Sequence, residues 1–270
     1  MSSANARWRN TADQIWPRFA AIGGLLLIWW AVAASGVFAE SILPSPGLVL
    51  QAFADNFFSP DPPRESIVAA TQASLTRLVV GLSVGVVVGT LLGLAMAASS
   101  AVQRSVGSLM SGLQALPSIA WLPLAILWFG YNEKAVMFVV IIASIPAVAI
   151  AAASSIRLVP PLLVRAGRTL GAKAWTLQRQ VILPAAVPGY IAGLQSAWAL
   201  GWRALMAGEL ITFSGAKGLG HLLEANRQLF LAENIFAVMM MIIFVGMLVE
   251  AMFGVVERRV RRRRGLLVQT

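Results

Sequence analysis

The chain has 270 residues, of which 58% are hydrophobic and only 12% are charged. A soluble domain carries about a quarter charged residues, so this composition predicts a protein that crosses a membrane several times. The chain has no cysteine, which excludes a disulfide framework. It has a single histidine, which nearly excludes a zinc site or a histidine-based triad, because each needs several partner residues. The net charge of +10 does not indicate nucleic-acid binding, because most basic residues lie between apolar runs and in the C-terminal tail.

Six apolar runs are long enough to cross about 30 Å of hydrocarbon as helices. They lie at roughly 19–37, 78–99, 109–129, 134–156, 189–213 and 235–256. The sequence thus predicts an all-α, polytopic membrane domain over 19–256, preceded by a short segment at 1–18 and followed by a basic tail at 257–270. We expect the first run to be an uncleaved signal anchor, because it is long for a signal peptide.

The distribution of basic residues predicts the orientation. With the N-terminus inside, fifteen of the 21 lysines and arginines fall on the inner side and five on the outer side, while Arg203 lies within a run. Positive charge is retained on the cytoplasmic side, so we expect a bacterial inner-membrane protein with six spans and both termini in the cytoplasm. The proline-containing stretch after the first run then lies outside, with a short amphipathic helix at about 46–57, and the segment 157–188 lies in the cytoplasm.

A regular series of glycines marks the second run. Its members are Gly81, Gly85, Gly89 and Gly93. On a helix, a spacing of four residues makes one smooth stripe along which a neighbouring backbone can approach closely. The series therefore predicts a helix-packing face.

Two regions within the runs are candidates for the wall of a pathway. Pro117, Trp121 and Pro123 lie in the third run, where prolines bend or break a helix beside a cavity, although a bend that serves packing alone is equally compatible. Arg203 and Glu209 lie in the fifth run, on different faces, and should each face an interior, a cavity or a partner. Arg203 is a candidate for attracting an anion, or else for a salt bridge to another helix. Glu209 is a candidate for fixing helix packing or gating near the outer face.

The expected cytoplasmic segment between the fourth and fifth runs is basic and amphipathic. Short helices are predicted at about 162–170 and 172–181, and Gly171 between them permits a left-handed turn. Pro184 is expected to end the second helix before the fifth span begins. Such a hairpin either lies against anionic headgroups or docks a cytosolic partner, with Trp175 as an anchor.

The pattern Arg165-Ala-Gly-x3-Gly171-x10-Ile182-Leu-Pro184 resembles the EAA loop of the permease subunits of ABC importers. Three further motifs resemble the nitrate, sulfonate and taurine branch of those permeases and occur in the expected order. They are Ser74-Leu-x-Arg77, Leu116-Pro117-x3-Trp121-Leu-Pro-Leu-x3-Trp128-Phe-Gly130 and Gly208-Glu209-Leu-Ile211. The resemblance covers roughly residues 40–260. Arg165 stands where the family usually has glutamate, and Gly167 where it usually has alanine.

This resemblance implies the type I ABC importer permease fold, with two copies of the chain flanking one pathway. It implies that the loop inserts a coupling helix into a groove on each of two cytosolic ATPase subunits, and that a solute-binding protein delivers substrate from outside. The residues implied in coupling are Arg165, Ala166, Gly167, Gly171, Ala172, Trp175, Leu183 and Pro184. The sequence has no GxxxxGK[ST] motif, so ATP and Mg²⁺ are expected on the ATPase partner and not on this chain.

The same resemblance implies transport of a small anion, first an aliphatic sulfonate, then taurine, nitrate or bicarbonate. A vitamin-precursor importer is the alternative within the branch, and a membrane scaffold without transport is the alternative outside it. We expect no catalytic residue, metal site or resident cofactor, because the sequence contains no HExxH, no GxSxG and no clustered acids. Membrane lipid is an expected partner, and nucleic acid is not.

Overall fold

The computed structural model describes residues 20–58, 65–212 and 217–263. The predicted all-α architecture is confirmed, since every regular element in these ranges is helical. The segment 1–18 and the tail beyond residue 263 lie outside the described residues. Within these ranges the chain forms two compact units, one from the described residues up to 67 together with 223–240, and the other from those between 68 and 222 together with 241–263.

The helices follow one another along the chain with short connections. They are α1 (Ala20–Ala34), α2 (Pro46–Phe57), α3 (Ile67–Ala98), α4 (Ser100–Ala115), α5 (Leu122–Phe129), α6 (Glu133–Arg157), α7 (Pro161–Thr169), α8 (Ala174–Leu177), α9 (Leu183–Ile211), α10 (Leu219–Gln228) and α11 (Ala232–Arg263). A 3-10 turn at Ser118–Trp121 precedes α5, and a wide helical turn at Gln178–Ile182 joins α8 to α9.

Four of these helices are long and apolar enough to cross a membrane: α3, α6, α11 and the continuous helix Ala174–Ile211. The pair formed by α4 and residues 118–129 is a fifth candidate, bent by 96°, and α1 is apolar but shorter. A multi-pass membrane protein is therefore confirmed, whereas the number of six spans stays a prediction.

The third predicted span, 109–129, is not one helix. The chain leaves the helical conformation at Leu116, whose ψ is 125°, and resumes it after Pro117. A proline disfavours the helical conformation of the residue before it, which explains why the break lies at this dipeptide. The second span also begins earlier than predicted, at Ile67 instead of 78, because the polar residues of its first turns are buried in the protein instead of forming a loop.

In the first unit, the predicted helix at 46–57 is confirmed. Ser45 caps it by accepting a hydrogen bond from the Leu48 amide, and Pro46 occupies its first position. The Trp29 indole donates to the Pro44 carbonyl at 3.1 Å and stacks on Phe236 at a centroid distance of 5.6 Å. These contacts join α1 both to the segment that precedes α2 and to α11.

In the second unit, the glycine series of α3 lies against α6. A Cβ at Gly81 would lie 2.9 Å from Val140 Cγ1, and one at Gly89 would lie 2.7 Å from Val148 Cβ. At Gly93 it would lie 2.5 Å from Ala152 Cβ and 2.6 Å from the Ala149 carbonyl oxygen. Gly85 faces Ser144 in the same way. The two helices are thus in backbone contact along four turns, which only glycine allows.

Candidate functional site

The hairpin formed by α7 and α8 turns at Gly171. Its φ of 80° confirms the predicted left-handed turn. The Gly171 amide donates to the Arg168 carbonyl, and the Ala172 amide donates to the Gly167 carbonyl, both at 3.0 Å. This pair of bonds is the Schellman arrangement, which satisfies the last carbonyls of α7. The turn is therefore fixed by the backbone itself.

Close packing holds the two arms of this hairpin together. Gly167 is buried, and a Cβ there would lie 2.7 Å from Leu177 Cδ1 and 3.2 Å from Val181 Cγ2. The glycine at this position thus lets α7 approach the helix that follows. Leu177, the apolar residue of α8 that faces inwards, is buried against it.

The outer surface of the hairpin is apolar at its tip and basic around it. Trp175 is 73% exposed and Leu170 is 88% exposed. The exposed basic residues around them are Arg165, Arg168, Lys173 and Arg179. Ala172 and Leu183 also reach the surface in part. An exposed aromatic side chain on a rigid turn is a common anchor for a protein partner.

The second arm does not end at Pro184 as predicted. The helix continues without interruption from Ala174 to Ile211, with Pro184 in the first turn of α9 and Pro188 inside it. The wide turn at Gln178–Ile182 adds a residue to the helical ladder directly before Pro184. Because such a turn already shifts the backbone hydrogen bonds, it accommodates a residue without an N–H group.

A cavity of about 370 Å³ opens in the second unit beside the break at Pro117. Pro117 and Trp121 line it from the 3-10 turn, and Arg203 lines it from α9. Ile142 and Ala143 contribute from α6. Three of the five candidate pathway residues thus share one cavity. Pro123 is not among its lining residues and stands in the first turn of α5.

The Arg203 side chain is exposed, although it projects from an apolar helix. Among the ion pairs formed by the described residues, none includes Arg203. The adjacent Trp202 is buried and stacks on Trp198 at 5.6 Å, which fixes the opposite side of this helix turn. An unneutralised guanidinium on a cavity wall can bind an anion with several donors.

Glu209 does not line this cavity. It is 0% exposed and lies in a cluster with residues of α3. Arg77 Nη1 donates to Glu209 Oε1 at 2.7 Å, and Ser74 Oγ lies within 2.9 Å of both carboxylate oxygens. The Gly220 amide donates to Oε2 at 3.0 Å. The fully buried carboxylate thus accepts hydrogen bonds from three groups of the protein and joins α3, α9 and the start of α10.

The sequence indicated Arg77 only as part of a motif, and neither its partners nor a role for Glu133 was predicted from the sequence. Arg77 was expected on the outer side, directly before a span beginning at 78, whereas it lies in the third turn of α3 and also donates from Nη2 to Glu133 Oε1 at 2.7 Å. Glu133 starts α6. Charged residues near apolar runs are expected to be paired, but the sequence alone does not indicate that α3 and α9 bring Arg77 and Glu209 together.

His221 stands beside this cluster and is half-buried. Burial, and then the positive charge of Arg77, lowers the pKa of its imidazole below the usual 6.5. The ring is therefore neutral at pH 7. Within the described ranges no three acidic or imidazole side chains come together as a metal site.

Comparison with protein families shows what kind of protein has this arrangement. Residues 85–262 match the model of the family described as "Binding-protein-dependent transport system inner membrane component". The chain is 27% identical over 260 residues to the taurine transport system permease protein TauC of Escherichia coli, covering 96% of this chain and 94% of TauC.

Two further relatives have different named substrates. The riboflavin transport system permease protein RibX of Chloroflexus aurantiacus is 33% identical, with 87% of this chain and 85% of RibX covered. The putative aliphatic sulfonates transport permease protein SsuC of Escherichia coli is 30% identical, with 87% of each chain covered.

The fold is also that of a solved transporter. A chain of the MetNI methionine ABC transporter, in inward-facing conformations, superposes with a TM-score of 0.62 at 19% identity, covering 72% of this chain and 95% of that chain. This similarity extends to the architecture of the helices and confirms the predicted fold class. With two thirds of its length matched by the family model, the chain belongs to the family of binding-protein-dependent transport system inner membrane components, the permeases of ABC importers.

Proposed function

We propose that this permease forms the pathway for a small anion, first of all an aliphatic sulfonate, in an ATP-driven importer. Nitrate and bicarbonate are alternative small anions, and taurine is an alternative that carries the same sulfonate group together with an ammonium. The observation that carries the proposal is the exposed Arg203 on the wall of the cavity beside Pro117 and Trp121. In a membrane interior a lone guanidinium is unfavourable unless it faces water or an anion.

The donors of Arg203 suit the oxygens of a sulfonate or nitrate group. The planar guanidinium presents parallel N–H groups to two oxygens at once, which a lysine ammonium does not. The apolar lining residues around it, including Leu116, Ile119 and Leu200, would accommodate the hydrocarbon part of an aliphatic sulfonate. One charged group, accompanied by Gln114 and Ser118 in a largely apolar cavity, is the pattern expected for a small amphiphilic anion.

The test is ATP-driven uptake by the complete transporter in proteoliposomes. Arg203→Gln should reduce uptake of labelled methanesulfonate by about tenfold or more, as expected for the loss of a hydrogen bond to a charged group. Arg203→Lys should give an intermediate rate of uptake, because lysine keeps the positive charge but lacks the parallel N–H groups of the guanidinium. Arg227→Gln, which removes an exposed arginine in α10, is the matched control. Unchanged uptake in Arg203→Gln would refute the role of this residue.

A second candidate substrate is an uncharged heterocyclic nutrient, favoured by the 33% identity with the riboflavin permease RibX. The cavity carries Trp121, whose ring could stack on such a compound. Competition decides between the two classes. Excess sulfonate or nitrate should inhibit uptake in the first case, whereas riboflavin should do so in the second.

The assembly that we propose has two copies of this chain, two cytosolic ATPase subunits that bind ATP and Mg²⁺, and an extracytoplasmic solute-binding protein. Both termini lie in the cytoplasm, and the α7–α8 hairpin docks on the ATPase. The proposal is supported by the exposed Trp175 at the tip of a rigid turn. ATP-driven closure of the ATPase dimer would bring the two hairpins together and rock the helix bundle.

Co-purification tests this docking. Trp175→Ala and Gly171→Asp should weaken the complex with the ATPase subunit. Phe58→Ala, which removes an aromatic side chain of similar exposure, 74% against 73%, should leave it intact. A permease that retains its ATPase in both hairpin variants would contradict the assignment, and a chain that never binds an ATPase would favour the scaffold alternative.

A further inference from the structure

The buried cluster around Glu209 has one member at the surface. Arg77 uses its two terminal nitrogens on two different carboxylates, Nη1 on Glu209 and Nη2 on Glu133. The Arg77 side chain is 8% exposed and that of Glu209 is fully buried, whereas that of Glu133 is 55% exposed. One cation thus connects an interior carboxylate with a carboxylate that another protein can reach.

The same cluster holds the chain between α9 and α10. The Gly220 amide donates to Glu209, and the Leu219 amide donates to Ser74 Oγ at 2.9 Å. A Cβ at Gly218 would lie 2.7 Å from Glu209 Oε2, and one at Gly220 would lie 2.5 Å from Glu209 Cβ. The backbone has therefore approached the carboxylate as closely as glycine permits. The start of α10 is fixed by the group that Arg77 binds.

We propose that Arg77 is a positioning residue that makes the docking of segment 217–222 responsive to Glu133, and that a basic side chain of the solute-binding protein acts on Glu133. The identity of this partner rests on the proposed function, while the link from Glu133 to segment 217–222 does not. In the permease without its binding protein, segment 217–222 stays docked on Glu209 and Ser74. When the binding protein is bound, the segment is held there less firmly.

The physical reason is the shared guanidinium. A cation that arrives at Glu133 competes with Arg77 for that carboxylate. Arg77 Nη2, which is nearly buried, then lacks its acceptor, and an unpaired buried donor is unfavourable. Conformers in which Arg77 turns towards solvent and leaves Glu209 become more populated. Glu209 then loses a donor that holds its carboxylate in place, and the hydrogen bond from the Gly220 amide to that carboxylate is held less firmly.

The charge and exposure of Glu133 select the occupant. Its Oε1 is used by Arg77, but more than half of the side chain remains accessible to a second donor. A transported anion would be repelled by this carboxylate. A lysine or arginine on a docking protein has the complementary charge, and on the proposed topology Glu133 lies on the outer side, where that protein binds.

Hydrogen exchange reports on the proposed opening directly, because the amides of Leu219 and Gly220 are themselves bonded to Ser74 and Glu209. We would measure exchange of the peptide 217–222 in the complete transporter in nanodiscs. Glu133→Gln should speed exchange about two- to fivefold, as for an ion pair with one exposed partner. Glu209→Gln should speed it about tenfold or more, since a buried charged acceptor is lost. Lys134→Gln, a neutralisation of the next residue, is the matched control and should change nothing.

Adding the solute-binding protein should speed exchange in the wild-type chain and give no further increase in Glu133→Gln. Unchanged exchange in Glu133→Gln overturns the link even where Glu209→Gln fails to fold, because Glu133 is a surface residue. If Glu133→Gln speeds exchange but the binding protein does not, the partner is overturned and the link stands. Uptake of methanesulfonate by the same samples tests the proposed function separately, since exchange requires no transport.

Discussion

Gly93→Ala tests the close contact of α3 and α6 most sharply. The added methyl group would lie 2.5 Å from Ala152 Cβ and 2.6 Å from the Ala149 carbonyl oxygen. Neither atom can move by a change of rotamer, so the helices must separate by about 1 Å to reach an ordinary contact of about 3.5 Å. Overpacking of this kind reduces the free energy of unfolding by about 1–3 kcal/mol.

The matched control is Gly112→Ala in α4, where an added Cβ meets no atom within 4 Å. There the better helix propensity of alanine should raise the free energy of unfolding by up to about 1 kcal/mol. Reversible unfolding in mixed micelles measures both variants. The free energy of unfolding should fall in Gly93→Ala and rise in Gly112→Ala. A Gly93→Ala variant as stable as the wild type would refute the close packing of these helices.

Three further predictions concern the hairpin and the buried cluster. Gly171→Ala should lower the free energy of unfolding by about 1 kcal/mol, because φ is 80° at this position and a residue with a Cβ is strained there. If the turn were not left-handed, the same unfolding assay would show no loss. Gly167→Ala should change the free energy of unfolding by no more than about 1 kcal/mol. The atom closest to the added methyl group is the movable end of the Leu177 side chain, and the better helix propensity of alanine offsets the crowding. A large loss of stability in this variant would contradict the reasoning. The lowered pKa of His221 means that the unfolded chain takes up the proton first, so the free energy of unfolding should fall as pH drops below about 6.5. Arg77 and Glu133 are the charges that act on this ring. His221→Gln should remove that slope, and an equal slope in the variant would contradict the assignment.

Local patterns in the sequence were sufficient where one residue type decides the backbone. Gly171 between two short amphipathic stretches predicted the left-handed turn, and the amphipathic stretch at 46–57 predicted α2, although not its cap at Ser45. Hydropathy predicted the apolar helices but not their ends. It placed the start of α3 at 78, because a window of apolar residues does not register a polar turn that is satisfied inside the protein.

Contacts between distant segments could not be derived in the same way. The spacing of the glycines in α3 predicted a contact face, but not that Val140, Ser144 and Val148 of α6 would lie against it. Arg77 and Glu209 are 132 residues apart in the chain, so their pairing depends on how the helices associate. The wide turn before Pro184 was hidden for another reason, since no residue type is diagnostic of a helix with one extra residue in its ladder.

The central claim is that energy from ATP reaches this permease through the α7–α8 hairpin. The chain has no cysteine, so Trp175→Cys creates a unique thiol at the exposed tip. A short thiol-specific photo-cross-linker attached there should capture the ATPase subunit in the assembled transporter, and the same probe at Phe58→Cys should not. Cross-links to the ATPase from position 175 alone are the predicted result. Their absence from position 175, in a complex that still imports substrate with ATP, would contradict the account.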